Sequence, residues 1–260
     1  MQAVLVRIGS DSAYGGWQAP VDPASGAFVY VPIPESKKSV ISEENRRYGS
    51  ELMPKLQEFC AAHKIDCGSG INLPTGFSQT LLHYDPDFDY LTYGDNGSSR
   101  GARIKHLNNG DLLVFYAALR PIRPCTERLI YAIVGLYVVE EVIPASAVEP
   151  RRRAENAHTR KAKMCKDDIV VRAKRGCSGR LERAIPIGYF NNRAYRVRPD
   201  LLDQWGGLSV KAGYVQRSAV PPLFTTPTIT LMKLTSVSGI CASRPALLSN
   251  YSLIGRGIPA

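Results

Sequence analysis

Apolar runs along the chain predict a core built mainly of β-strands. Residues 3–9, AVLVRIG, and residues 27–34, AFVYVPIP, have the β-branched and aromatic content of strands, and the second run alternates and ends in proline. The clearest signals are LLVFYAALRP, residues 112–121, and LIYAIVGLYVV, residues 129–139. We expect these two runs to pair as antiparallel strands, with Gly135 marking a bulge or bend.

Helical patterns are fewer. Residues 43–63 space apolar side chains three and four positions apart, as in an amphipathic helix. The basic stretch 154–166 also has helical composition. Residues 193–208, RAYRVRPDLLDQWGGL, predict a strand followed by a short helix that ends at Gly206 and Gly207. The sequence therefore predicts an α+β fold with a strand-rich core and flanking helices.

The chain is expected to form a single elaborated domain over residues 1–260, with a basic segment at residues 151–183 and an irregular, proline-rich tail at residues 219–260. The first apolar run meets a charge at Arg7 and is too short for a signal peptide. The longest near-apolar run, residues 129–139, is well below the roughly 18 residues of a membrane span. We expect a cytoplasmic protein with no membrane contact.

Charge is concentrated in one part of the chain. The formal net charge is +10, and residues 151–183 hold twelve Lys or Arg residues against four Asp or Glu residues. A focused basic region favours a polyanionic partner such as nucleic acid, because phosphate attraction is its commonest use. The alternative is a solvated basic face without a partner.

Six cysteines occur without a CxxC pair, so free thiols are expected in a protein without a secretory signal. Cys60, His63 and Cys67 would lie on one face of a helix, which could supply three ligands of a zinc site. An amphipathic helix with small buried cysteines explains the same pattern. Structural zinc sites normally have four ligands, which favours the helix.

Residues 83–95, HYDPDFDYLTYGD, contain one histidine, four aspartates and three tyrosines. The D-x-D-x-D spacing opens like a calcium-binding EF-hand loop, but Tyr90 stands where that loop needs glycine and Asn96 where it needs glutamate. In an extended chain the alternate aspartates, with His83, could still hold a divalent ion. Hydrogen-bonded turn chemistry is the alternative. We assign no metal ligand and identify no cofactor from the sequence.

Two other segments are candidates for binding. The glycine-rich turn at residues 12–17, SAYGGW, could present the backbone N–H groups of Gly15 and Gly16 to a phosphate, or could simply be a tight turn. Residues 155–161, ENAHTRK, place a histidine beside a cationic patch, where it could act as a neutral base or a donor. A solvated helix face is the alternative.

Several pieces together resemble the third family of nucleotide-modification-associated domains, found in phage and bacterial proteins. The pieces lie within residues 1–218 and are RIGSDSAYGGWQAPVD, VYVPIPE, HYDPDFDYLTYGD, GDLLVFYAALRP, IVGLYVVEEV, ENAHTR, SGRLERAIPIG, WGGLSV and QRS. The resemblance implies a role in systems that modify DNA bases, together with other proteins of such systems. Residues 103–143 show a weaker resemblance to PUA-like domains such as ASCH and EVE, which implies an open β-barrel.

The resemblance implies a nucleotide site whose walls are polar and basic. The residues expected to do acid–base chemistry there are His83, Asp85 and Asp87. The residues expected to bind the nucleotide are Asp11, Tyr14, Gly15, Gly16, Trp17, Tyr93, Asp95, Arg103, His158, Arg160 and Arg217. Tyrosine and tryptophan rings would stack on a base, and arginines would meet phosphate.

Two functions of different classes follow. The first is an enzyme that modifies or processes a nucleotide or a DNA base, using His83 with Asp85 or Asp87. The second is a PUA-like module that recognises a modified base or RNA without chemistry. In both, the partner is a nucleotide or nucleic acid, with DNA favoured over RNA.

Overall fold

The apolar runs form the strands of a mixed β-sheet in the computed structural model, which describes residues 1–11, 16–35, 39–41, 45–68, 71, 73–74, 76–127, 129–191, 194–215 and 220–227. In chain order the strands are β1 (Ala3–Arg7), β2 (Pro20–Val21), β3 (Ile33–Glu35), β4 (Leu81–His83), β5 (Thr92–Asn96), β6 (Leu112–Pro121), β7 (Ile130–Pro144), β8 (Asp168–Ala173), β9 (Gly179–Asn191) and β10 (Ala194–Val197). The α-helices described are α1 (Tyr48–His63) and α2 (Pro199–Trp205). This confirms the predicted α+β class.

Eight strands share one sheet, with the order β1-β6-β7-β8-β5 along its main path. Strand β9 also pairs with β7, β10 pairs with β9, and β2 pairs with β6. Strands β3 and β4 form a separate antiparallel pair. The long strand β7 pairs first with β6 and β9 and then with β8, so it links the centre of the sheet to the β8–β5 end.

The predicted antiparallel pairing of the two strongest apolar runs is confirmed as β6 with β7. The predicted irregularity at Gly135 is also confirmed, because the β7–β9 register shifts between Ile133 and Gly135. A Cβ atom at Gly135 would lie 2.6 Å from a ring carbon of Phe88. Glycine is therefore needed where this aromatic ring crosses the strand.

Both faces of the sheet are buried, which explains why its central strands are continuous apolar runs. On β1, Val4 and Val6 belong to a core cluster that includes Leu56 of α1. The intervening Leu5 belongs to a second cluster on the opposite face, which includes Trp205 of α2. The two helices thus cover opposite faces of the sheet.

Both predicted helices flanking the core are confirmed. Helix α1 begins at Tyr48 rather than near residue 43 and ends at His63, followed by Lys64 with left-handed backbone angles. Helix α2 ends at Trp205, and the next residue, Gly206, adopts the left-handed conformation typical of a glycine cap. In the part of the chain described here, no helix is long and apolar enough to cross a membrane.

The helix predicted over residues 154–166 is wrong. The segment instead contains the end of a 3-10 helix, Pro150–Glu155, followed by turns. The side-chain oxygen of Asn156 accepts the backbone N–H of His158, and the hydroxyl of Thr159 donates to backbone carbonyls. These local side-chain bonds to the backbone compete with helical hydrogen bonding.

The expectation that all cysteines are free is also wrong, because Cys60 and Cys67 form a disulfide. Helix α1 ends at His63, and the turn that follows returns Cys67 to Cys60, with a Cα–Cα distance of 5.7 Å. The bond uses both sulfurs and leaves no thiolate for the zinc site considered above. Cys125, Cys165 and Cys177 are free.

Reduction of this disulfide is expected to lower the free energy of unfolding by about 2 kcal/mol, because opening a short loop returns entropy to the unfolded chain. Urea unfolding with and without dithiothreitol measures the difference. The double variant Cys60→Ser/Cys67→Ser is the control and should not respond to the reductant. A wild-type protein that is equally stable in both conditions would contradict the pairing.

Candidate functional site

Two short strands place the first histidine of the site. His83 is the last residue of β4, and β4 pairs with β3, which ends at Glu35. The Nδ1 atom of His83 lies 2.6 Å from the Oε2 atom of Glu35. An ionised carboxylate can only accept, so Nδ1 carries the proton and donates it. The Nε2 atom of His83 is thereby turned away from Glu35 and toward Asp85.

The second histidine is held in the same way from the other side. His158 lies in the turn after the 3-10 helix, and its Nδ1 atom lies 2.7 Å from the Oδ2 atom of Asp168, the first residue of β8. Because β8 pairs with β5, Asp168 is fixed opposite Asn96. The His83 and His158 rings are 5.4 Å apart between centroids.

Asp85 lies between the two histidines, and its two carboxylate oxygens have different surroundings. Oδ1 accepts the backbone N–H of Gly94 at 2.5 Å and the side-chain amide of Asn156 at 3.4 Å. Oδ2 lies 3.1 Å from Nε2 of His158 and 3.4 Å from Nε2 of His83. Neither contact has hydrogen-bond geometry, and this buried oxygen has no hydrogen-bond partner among the described residues.

The site is largely enclosed. The side chains of His83, Asp85 and His158 are 11%, 5% and 13% exposed. A small cleft of about 20 Å³ lies beside the site and is lined by Glu35, Ser39, Asn45, Leu81, Leu82, Ala157, Arg160 and Lys161. Glu35, which holds His83, thus lines the cleft, whereas the two histidines and Asp85 do not.

The charges in the site stabilise one another. Burial alone would lower the pKa of His158, but Asp168 and Asp85 raise it to about 9. Burial likewise opposes protonation of His83, and its contacts with Asp85 and Glu35 raise its pKa. Burial would raise the pKa of Asp85, but the two histidines hold it well below its ordinary value.

We call His83, Asp85 and His158 the central triad. One ligand atom from each of these residues lies within 4.8 Å of the others, so the group could hold a metal ion. The same atoms could also bind and transfer protons, since imidazole nitrogens are common general acids and bases. Both kinds of chemistry require the geometry that Glu35 and Asp168 impose on the rings.

Asp87 and Arg160, also predicted as site residues, form a buried ion pair next to the triad. The Nη2 atom of Arg160 lies 2.8 Å from Oδ2 of Asp87, and the two residues are 4% and 0% exposed. The backbone N–H of Tyr90 donates to Oδ1 of Asp87. Burial nonetheless raises the pKa of Asp87. The pair joins the segment that carries Asp85 to the turn that carries His158.

The remaining predicted binding residues have other surroundings. Asp11 forms an ion pair with Arg7, and Arg103 donates to Ser209 and to the Pro221 carbonyl. Gly16 has left-handed backbone angles. Trp17 and Tyr93 are buried in the core, and the Tyr93 hydroxyl donates to Asp95. The structure does not describe Tyr14, Gly15 or Arg217.

Sequence reasoning missed four residues of the site: Glu35, Gly94, Asn156 and Asp168. Glu35 is 48 positions from the histidine that it contacts, and no local pattern connects them. Asp168 was counted only as one charge of the basic segment. The Asn-x-His spacing at 156–158 was a usable signal, because Asn156 contacts both Asp85 and the backbone of His158.

Comparison with known proteins identifies one family. The family model described as nucleotide modification associated domain 3 matches residues 2–219. This match covers well over half of the 260 residues and includes every residue of the central triad. No curated protein and no solved structure matches the chain.

Proposed function

The chain belongs to the nucleotide modification associated domain 3 family, and from this premise we propose that it is an enzyme that acts on a nucleotide, or on a base within DNA, at the central triad. Membership associates the chain with nucleotide modification. The proposal adds the place where the chemistry occurs and the residues that carry it out.

The main support for the proposal is the arrangement of the triad. Two histidines, each held from behind by a carboxylate, direct their Nε2 atoms toward one buried oxygen of Asp85. Buried titratable groups with shifted pKa values that converge beside a cleft are typical of catalytic sites. Ion pairs that only stabilise a fold do not need this convergence.

The charge around the site suits a phosphate-bearing substrate. The loop between His158 and Asp168 carries Lys161, Lys163 and Lys166, and the last two are exposed. Lys161 is half-buried and lines the cleft together with Glu35. Lysine ammonium groups attract phosphate, and this attraction weakens as salt screens it. Because this loop begins at His158 and ends at Asp168, the lysines belong to the segment that also supplies two residues of the site.

A module that binds nucleic acid without chemistry is the second candidate, and the exposed lysines favour it as well. Stacking on a base requires an exposed ring face. Trp17 and Tyr93 are only 6% and 4% exposed, so their rings contact protein rather than solvent. The polar triad therefore supports the enzyme more strongly than these two predicted stacking residues support the binding module.

A nucleotide that binds at the triad is expected to raise the melting temperature of the wild-type protein by about 5 °C or more at one hundred times its dissociation constant. Thermal-shift measurements with mononucleotides, nucleosides, short DNA and short RNA test this at low and high salt. His83→Ala is expected to abolish the shift. His106→Ala is the matched control, because His106 is exposed and lies outside the site.

Two results would count against the proposal. One is an equal shift in His83→Ala and in the wild-type protein, which would place the ligand elsewhere. The other is stabilisation by polymers alone that disappears with salt, which would support the binding module.

A further inference from the structure

We propose that the central triad binds one divalent first-row transition-metal ion through Nε2 of His83, Oδ2 of Asp85 and Nε2 of His158. This deepens the proposed function, because it names the cofactor of the same site. Two imidazole nitrogens and one carboxylate suit zinc, iron or manganese rather than calcium or magnesium, which prefer ligand sets made only of oxygen.

Two of the distances between the ligand atoms match those around an ion, and all three atoms lie within 4.8 Å of one another. Metal–ligand bonds of about 2.0–2.2 Å place neighbouring ligand atoms about 3 Å apart. The Oδ2 atom of Asp85 lies 3.1 Å from one Nε2 atom and 3.4 Å from the other. Ion pairing brings these atoms together when the histidines are protonated, but neither contact has hydrogen-bond geometry, so Oδ2 of Asp85 receives no well-directed donor. An ion between them would satisfy all three.

The surroundings of both histidines provide a second, independent observation. Histidines that bind metals generally donate their other ring N–H to a carboxylate or carbonyl, which fixes the ring and leaves the ligand nitrogen unprotonated. His83 donates to Glu35 and His158 donates to Asp168, at 2.6 and 2.7 Å. Two rings held in this way around one carboxylate oxygen are expected for a metal site.

The orientation of Asp85 points the same way. Gly94 and Asn156 occupy Oδ1 with hydrogen bonds, and Oδ2 is left for the histidine side. A metal ion would replace the Nε2 protons and leave both imidazoles neutral, so Glu35, Asp85 and Asp168 would then contribute three negative charges in a mostly buried region. A divalent cation offsets part of that charge.

Three protein ligands leave coordination positions open. Structural zinc sites are closed by four protein ligands, whereas catalytic sites keep a position for water or substrate. An ion in the triad would therefore keep positions for water or for an oxygen of the substrate. It could polarise a carbonyl or phosphoryl oxygen, or activate a bound water.

The test is metal binding by the 260-residue chain, measured separately from any activity. The protein is stripped with a chelator, reloaded with Zn²⁺, Mn²⁺, Fe²⁺ or Co²⁺ in turn, and desalted, and its metal content is measured by mass spectrometry. We expect about one ion per chain. His158→Ala is expected to weaken binding by about 100-fold or more, and His106→Ala to bind like the wild type.

A milder variant distinguishes loss of metal binding from loss of folding. Glu35→Gln keeps all three ligands and the size of the side chain, and we expect it to weaken Co²⁺ binding by about 10- to 100-fold. The visible absorption of bound Co²⁺ reports the ligand set directly, and far-ultraviolet circular dichroism confirms that each variant is folded. Two results would overturn the inference. One is a wild-type protein that holds no more metal than His158→Ala, and the other is a folded His158→Ala variant that holds as much metal as the wild type.

Nucleotide binding by the stripped protein separates this inference from the proposed function. If the metal does not bind but a nucleotide binds at the triad, the metal inference fails and the proposed function stands. If one ion binds and no nucleotide or nucleic acid does, the metal inference stands and the proposed function fails.

Discussion

Gly94→Ala is expected to abolish metal and nucleotide binding at the triad. A Cβ atom at position 94 would lie 2.5 Å from Cδ2 of His158, 2.6 Å from Oδ1 of Asn156 and 3.0 Å from Oδ2 of Asp85. All three neighbours are held by hydrogen bonds and are mostly buried, so moving them away costs free energy of folding. One methyl group would therefore displace a ligand of the proposed ion and the amide that orients Asp85.

The loss should appear as a drop in Co²⁺ affinity of about 100-fold or more, together with a lower melting temperature from overpacking. Gly179→Ala is the matched control, since a Cβ atom on this strand glycine meets nothing within 4 Å. The control should bind Co²⁺ and nucleotide like the wild type. Normal Co²⁺ binding by a folded Gly94→Ala variant would contradict the geometry described for the site.

Arg160→Ala is expected to lower the free energy of unfolding by about 3–5 kcal/mol, because it leaves a buried carboxylate without its partner. Asp87 is fully buried, and Arg160 also donates through Nε to the Ala154 carbonyl. The hydroxyl of Tyr137 donates to the backbone carbonyl of Asp87, so this segment is anchored to β7 as well. Urea or thermal unfolding of the variant measures the loss.

The exposed pair of Arg198 and Asp200 provides the control. Their side chains are 44% and 50% exposed, and an exposed pair contributes only about 0–1 kcal/mol. Arg198→Ala should therefore change stability little. The double variant Asp87→Asn/Arg160→Met should recover part of the loss, since it removes the unpaired charge. An Arg160→Ala variant as stable as Arg198→Ala would show that the buried pair does not join the two segments.

The parts of the fold that the sequence predicted are those determined by local patterns. Strands β6 and β7 are long apolar runs. Each run has apolar side chains on both faces, so both strands are expected in the middle of the sheet, next to each other. Helix α2 has a proline at its first position and glycine directly after its end. By contrast, the segment 154–166 has helical composition, but buried polar side chains bind its backbone and prevent a helix.

The candidate site could be predicted only in part, for a similar reason. His83, Asp85 and His158 belong to polar segments whose composition is unusual enough to attract attention. The residues that orient them lie in segments of ordinary composition. Glu35 ends a short strand, and Asp168 begins one that looks purely structural. Their role depends on the pairing of β3 with β4 and of β5 with β8, which brings together residues distant in sequence.

In the function proposed above, His83, Asp85 and His158 form the functional centre of this protein. A crystal structure of the Zn²⁺-loaded protein, soaked with its best-stabilising nucleotide and recorded at the zinc absorption edge, tests it most directly. We expect one anomalous peak about 2.0–2.2 Å from Nε2 of His83, Oδ2 of Asp85 and Nε2 of His158, with the nucleotide in contact with the ion or with these three residues. Zinc and nucleotide both bound away from the triad would contradict it.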